Sequence, residues 1–398
     1  MTANTAAESQ PTLDLSDLDK WVGKRVVYNE FWDPCSSTDI RRWVQAMDYA
    51  NPIHWDEQFA RDAGYDSIVA PQSFTVCMDY GHGCHPASIG NIPGSHLIFG
   101  GEEWWYYGGN RLKPGDKLTQ ERRFDGYSVA DTKFAGPTVF TRGDTVHRNQ
   151  HGALVAKERA TAIRYLREEA KKRAVYNKEN RVPKKWTAEE LEAVQRTRLD
   201  WILSNREGRT PHYEEVSVGD KLPRRAIGPH SVVTFALECR AHRQNIWGTY
   251  QWNAPEGVVD PAHNPMGFSE NMSYDWEARK IDPRQGDGLF YGPSSGHINA
   301  DKGESVGMGG TYGYGSSMNS WFVDYVAYWA GLKGFIWHSN CQFRSPAFEG
   351  DVTYLDGEVI EKVDASPFGM PIVKVKVKQT TQDGDVILSG IADVEIAC

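Results

Sequence analysis

Paired cysteines are missing from this chain: its six, Cys35, Cys77, Cys84, Cys239, Cys341 and Cys398, are scattered among 398 residues with no CxxC. No apolar secretory run stands near the start, so a disulfide scaffold is excluded and reduced thiols in a cytoplasmic protein are expected. Long hydrophobic runs are missing too. Nothing approaches the roughly 20 apolar residues that cross a bilayer, and no membrane-integral role is expected. Positive charge is in deficit, with 44 Lys and Arg against 53 Asp and Glu and a net charge of -9. That balance argues against a nucleic-acid partner, because phosphate-backbone affinity rests on clustered Lys and Arg. The most basic stretch, Lys171 to Lys185, is interleaved with Glu and reads as a solvated helix face. Neither a dinucleotide glycine fingerprint nor a P-loop is evident, so neither nicotinamide nor ATP is expected. "HGCH" holds His82, Cys84 and His85, but no second ligand cluster stands at zinc-site spacing. No metal is expected.

What is present is apolar and aromatic surface: 40% hydrophobic residues, 12% aromatic, 14 Trp and 18 Tyr. That is enough to order a globular chain, and the length suggests two domains or one duplicated domain. Residues 1–20 open with the small polar "MTANTAAESQPT" and read as a disordered tail. In "SSTDIRRWVQAMDYAN", Ile40, Trp43, Val44 and Met47 fall at i, i+3, i+4 and i+7, which predicts a helix with one buried face. Pro52 cannot continue it and pushes Asn51 out of the helical region, so His54 should stand on a non-helical backbone. "DEQFARDAG" predicts a short helix closed by Gly64, and "SIVAPQSFTVCMDYG" a central buried helix. Strands are expected at 97–107, 117–125, 132–141 and 153–163.

A helix followed by a strand meander gives the unit 21–165. Residues 166–212 are charged and helix-favouring, with "TAEE" as a capping signal, and read as a helical linker. The unit 213–398 replays the first. His54 precedes Gly64 by ten positions, and His297 precedes Gly307 by ten. Each glycine is followed by a candidate central helix, "SSMNSWFVDYVAYWAG" in the second copy, and then by a Gly-Asp turn, "RLKPGDKL" or "SPAFEGDVTY". The shared order favours duplication over coincidence.

"NPIH" after an amphipathic helix, then "WDEQFARDAG" and an apolar helix, resembles the hydratase signature of the MaoC-like, type-2 (R-specific) enoyl-CoA hydratase and dehydratase family. "IWHSNCQFRSPAFEGD" in the second half resembles the same family. The resemblance implies an α+β fold class: two tandem hotdog folds, each a long central helix wrapped by a curved antiparallel sheet, forming a pseudo-dimer. It also implies reversible syn addition of water to a trans-2-enoyl-CoA, giving a (3R)-3-hydroxyacyl-CoA, with the CoA thioester as substrate and no further cofactor. Such chemistry asks for an activated water at C3, a proton at C2 and donors for the thioester oxygen.

Carried over by position, His54 matches the family histidine and Asn51 and Pro52 its Asn-Pro pair. The family aspartate would fall at Tyr49; Asp48 stands one position early, a helical step of about 100° away. Asp48 and His54 are therefore the catalytic candidates, with Tyr49 as an alternative proton donor. Tyr49, Asn51, Gln72, Ser73 and His297 are expected to contact substrate. Gln72 or Ser73 would replace a turn glycine in holding the thioester oxygen, since Pro71 has no N–H; a plain helix cap is the other reading of Ser73. The stretch before His297, "YGPSSG", keeps neither the Asn-Pro pair nor a nearby upstream carboxylate, so the second half is read as the degenerate copy. Residues 245–299 read as a long excursion near the site mouth. A non-catalytic acyl-CoA-binding subunit and a hotdog thioesterase stay open, as does a homodimer of pseudo-dimers.

Overall fold

The structure, a computed structural model, describes residues 13–29, 34–78, 85–109, 111–177, 183–242, 295–365, 367 and 369–396. Among the described residues, ten antiparallel strands form one sheet. In the first half they are β1 (Arg25–Asn29), β2 (Ser95–Tyr106), β3 (Leu118–Thr132), β4 (Gly136–Asn149) and β5 (Leu154–Leu166). The second half adds β6 (Lys221–Ile227), β7 (Phe335–Phe343), β8 (Thr353–Val363), β9 (Ile372–Thr381) and β10 (Val386–Glu395). Their spatial order is β1-β3-β4-β5-β2-β7-β10-β9-β8-β6. Each half thus has the same order, outer edge to seam, and the two meet where β2 pairs with β7. Gly101 makes that seam close-packed: a Cβ there would stand 2.4 Å from the Cys341 carbonyl.

The helices are α1 (Ser16–Asp19), α2 (Ser37–Ala46), α3 (Glu57–Asp62), α4 (Arg167–Arg173), α5 (Ala188–Ser204), α6 (Val232–Ala241), α7 (Ala300–Ser305) and α8 (Gly315–Ala330). α8 packs against strands of both halves and is buried along most of its length. The repeat extends to hydrogen bonds. Ser36 and Ser231 each close a capping box at the start of α2 and α6. The Cys35 N–H bonds the Asp116 carbonyl at 2.9 Å, and the His230 N–H bonds the Asp351 carbonyl at 2.8 Å. Gly115 and Gly350 return the bond to Cys35 and His230.

Three expectations need correction. Residues 1–12 lie outside the described residues, but α1 lies within the expected tail and Leu18 is fully buried against Ile89, Ile92, Phe124 and Val139. Its apolar side chain anchors the segment. The first half's central helix is a fully buried 3-10 helix over Gln72–Met78, with residues 79–84 outside the described residues. β-Branched Thr75 and Val76 disfavour a regular α-helix there, and the Thr75 hydroxyl bonds the Gln72 carbonyl at 2.9 Å. The strand expected at 132–141 straddles a turn, because Gly136 has a φ of +65° and β3 and β4 pair on either side of it.

The expected linker is helical at both ends, yet it is not peripheral. α5 packs on β6, and its Trp201 is buried in the main core.

Candidate functional site

The site is built at the end of α2. Ile40, Trp43, Val44 and Met47 bury one face of that helix as the sequence spacing requires. The helix then stops in a Schellman motif. The Tyr49 N–H reaches back to the Val44 carbonyl at 2.9 Å, the Asp48 N–H to Gln45 at 3.3 Å, and Asp48 takes a left-handed φ of 51°. Arg225, buried on β6, closes the same end by donating to the Met47 and Asp48 carbonyls, both at 2.8 Å. Its guanidinium lies over the Trp201 ring, 4.4 Å from the centroid.

This turn separates the two carboxylate candidates. Asp48 swings outward, its side chain 57% exposed and its Oδ2 3.4 Å from Arg198 Nε. Tyr49 goes inward, 3% exposed, with its ring 5.1 Å from that of His54. The structure therefore brings Tyr49, and not Asp48, to His54. Asn51 donates to the Tyr49 hydroxyl at 3.4 Å and caps the 3-10 turn Pro52–His54 through the Ile53 N–H. Trp201 and Tyr328 complete the aromatic wall around Tyr49.

His54 is 1% exposed. Its Nδ1 lies 2.7 Å from the Val69 carbonyl, which fixes the proton on Nδ1 and leaves the Nε2 lone pair free. Nε2 is buried with no hydrogen-bond partner among the described residues. Burial pulls the His54 pKa down to about 3, the Val69 carbonyl opposes this, and the Arg111 guanidinium adds to the depression. The ring is thus neutral at physiological pH, with an open acceptor. Burial also drives the Tyr49 phenol well above its ordinary value, so it stays protonated as a donor.

Gln72 and Ser73 are tied up between the halves. The Gln72 amide holds the Ile336 backbone from both sides, donating at 2.6 Å and accepting at 3.0 Å, so its side chain fixes β7 instead of a ligand. Ser73 accepts from Trp43 Nε1 at 3.0 Å and donates to Asp324 Oδ1 at 2.6 Å. Asp324, on α8, is fully buried and its Oδ2 has no partner among the described residues. Burial raises its carboxyl to about 7, against the lowering effects of Arg225 and Ser73. Asp324 and Arg225 are the site groups the sequence did not show. Both lie over 170 residues from Asp48, and only the single capping arginine on a strand or the lone acid within an apolar helix would have signalled them.

His297 repeats His54 in backbone terms. It ends the 3-10 turn Ser295–His297, and its Nδ1 lies 2.7 Å from the Tyr312 carbonyl, again fifteen residues on. Its ring packs on Tyr314 at 3.9 Å and Tyr312 at 4.6 Å. It belongs to the second copy and is not joined to the His54 cluster by any described contact. Most of the 245–299 excursion, with His82 and Cys84, lies outside the described residues.

Comparison with known proteins agrees with this architecture. Residues 20–158 match the family described as FAS1-like, dehydratase domain region. A probable enoyl-CoA hydratase alpha subunit from Thermomonospora curvata is 25% identical over 163 residues, covering 37% of this chain and 50% of that one. Over these stretches the chain is similar to dehydratase-region and enoyl-CoA hydratase sequences, and in fold it is similar to MaoC-like hotdog proteins. A MaoC-like dehydratase structure covers 96% of the chain and is itself covered completely, with a TM-score of 0.60 at 15% identity. A MaoC domain protein dehydratase from Chloroflexus aurantiacus gives 0.55 at 13% identity, covering 99% of this chain and 100% of that one. A double-hotdog protein of Mycobacterium tuberculosis gives 0.54 at 12%, covering 96% and 98%. These likenesses concern the fold, and the match to the Thermomonospora curvata protein spans about half of that protein's length.

Proposed function

We propose that this MaoC-like protein adds or removes water across C2 and C3 of an enoyl-CoA or (3R)-3-hydroxyacyl-CoA thioester, and that its halves act as two tandem hotdogs in a pseudo-dimer. The observation that carries the reading is the His54 ring: buried, neutral, fixed in one tautomer and with Nε2 open. In hydration, Nε2 takes a proton from water as the oxygen attacks C3 and charge moves to the thioester oxygen. The resulting imidazolium, acidic because it is buried, returns the proton to C2 on the same face. Water loses one proton, C3 gains hydroxyl and C2 gains hydrogen, so the step balances without a redox group. Tyr49 takes the partner role that the signature gives to aspartate, as a neutral donor that holds the water or the C3 hydroxyl. Trp201 and Tyr328 also line a surface cleft of about 400 Å³ with Arg206 and Arg209, which suits a phosphate-bearing CoA arm.

A second reading has its own observation: no carboxylate stands at the signature position, and the nearest acidic side chain in sequence, Asp48, points outward. On that reading the chain binds acyl-CoA and leaves catalysis to a partner. Crotonyl-CoA and longer or cyclic enoyl-CoAs decide between them. Loss of enoyl absorbance in wild type but not in His54→Ala supports hydration; binding with a flat spectrum supports the binding subunit; release of free CoA supports a thioesterase.

A further inference from the structure

The inner face of the first half's sheet carries more buried polar and ionisable side chains than that of the second half. Register sets Arg122 opposite Thr145, Thr145 opposite Glu158 and Glu158 opposite Trp104, in one row across four strands. The row two residues along pairs Gln120 with His147. Gln120 donates to the Met78 carbonyl and Thr141 to the Ala87 carbonyl, so this face looks toward the segments that cover the sheet from inside. In the second half one such row is Val359, Val375, Ala392 and Ser339, of which the first three are fully buried in the main apolar core with α8 and only Ser339 is polar. The fold therefore does not require a polar lining.

Thr145, His147 and Glu158 have no exposed surface, and Glu102 has 2%. Yet, among the described residues, the Thr145 hydroxyl, both ring nitrogens of His147, both carboxyl oxygens of Glu158 and Oε1 of Glu102 have no hydrogen-bond partner. Buried polar groups left unpaired destabilise a fold, and a cluster of them on one face calls for something that meets them. The cluster is continuous with the site. Tyr106 lies within electrostatic reach of Glu102, Glu158 and Asp324, any of which would raise its phenol further once ionised, and Asp324 is bonded to Ser73 and within reach of Tyr49.

We infer that this face is the acyl-binding wall and that it selects acyl groups carrying uncharged oxygen functions, hydroxyl or keto, remote from the thioester. The inference rests on the acyl-CoA reading above. Burial raises the Glu102 carboxyl to about 8 and the Glu158 carboxyl well above its ordinary range, while His147 is lowered to about 3. All three are neutral near pH 7, so they offer donors and acceptors to a hydroxyl or keto oxygen without demanding a counter-charge.

The test is calorimetric binding of saturated acyl-CoA esters of matched length, with and without a remote hydroxyl or keto group, and with a terminal carboxylate as a third arm. Wild type should bind the hydroxyl or keto ester about tenfold tighter than the plain one, and in Thr145→Val and Glu158→Met the ratio should fall to within about threefold of one. Melting temperature should not drop in either variant, since neither loses a hydrogen bond; a purely structural role predicts a drop. Equal or tighter binding of the plain or carboxylate ester overturns the inference, as does a preference that survives both substitutions. Binding preference without enoyl-CoA hydration leaves the inference standing and removes the hydratase reading; hydration without preference does the reverse.

Discussion

Arg198 holds the Asp48 carboxylate at 3.4 Å on the outside of a helix end whose next residue, Tyr49, faces His54. One left-handed residue thus decides which of two neighbours enters the site. Aspartate tolerates that conformation better than most residues, though glycine is the usual occupant.

On the mechanism proposed above, Asp48→Gly should keep hydratase activity within about threefold of wild type, because that mechanism gives the outward-facing side chain no proton step. Stability should hold or rise, since glycine relieves a left-handed backbone cost of roughly 1 kcal/mol while the exposed pair contributes at most a similar amount. Enoyl-CoA turnover and a urea melt check both, and a hundredfold loss of kcat with an intact fold would return Asp48 to the mechanism.

His54→Ala should lower kcat by about 10²–10⁴-fold with little change in substrate affinity. Tyr49→Phe keeps the ring against His54, Trp201 and Tyr328 and removes only the hydroxyl. It should cost about 10–100-fold in kcat, with near-native KM, if the phenol holds the reacting oxygen. Steady-state kinetics on both variants separate the two roles.

Between about pH 6.5 and 8, stability should fall as pH rises. Glu102 and Glu238, each raised to about 8, and Asp324, raised to about 7, bind protons in the folded state that the unfolded chain has released. His338, held near 9 by Asp393 and Glu103, works in the same direction: its contribution is complete below 6.5 and lost as pH passes through 9. His54, His147, His230 and His242, lowered to about 3 or 4, act only below 6.5, where falling pH destabilises the fold. Melting temperature across this range reads the slope, and His338→Gln should flatten its upper part.

Gln72→Leu should destabilise the whole protein by about 2–4 kcal/mol, because it strands the buried N–H and C=O of Ile336 together. Chemical denaturation with probes in each half should show one shared transition moving to lower urea.

The sequence made the helix with Ile40, Trp43, Val44 and Met47 legible, along with the break before Pro52, because each follows from local spacing and sterics; the 3-10 turn that holds His54, where a non-helical backbone was expected, and the burial that keeps its ring neutral were not legible. The spacing suggested a repeat, and the matching strand order of the halves and the paired hydrogen bonds of Cys35 and His230 agree with it. The side-chain direction of Asp48 was not legible, because it depends on Arg198 and Arg225, more than 140 residues away. The side-chain partners of Gln72 and Ser73 were not legible for the same reason. Their partners, Ile336 and Asp324, belong to the other half, and no local pattern encodes a bond across the seam.

On the tandem reading proposed above, the β2–β7 seam also bears on how two copies could grow apart. In a symmetric homodimer every substitution is expressed twice, so an arginine that caps one helix end must suit its twin as well. Here each half always meets the same, different neighbour through covalent linkage. Arg225 and Asp324 can serve the His54 end of the molecule, while the region around His297 carries no obligation to receive such help in return.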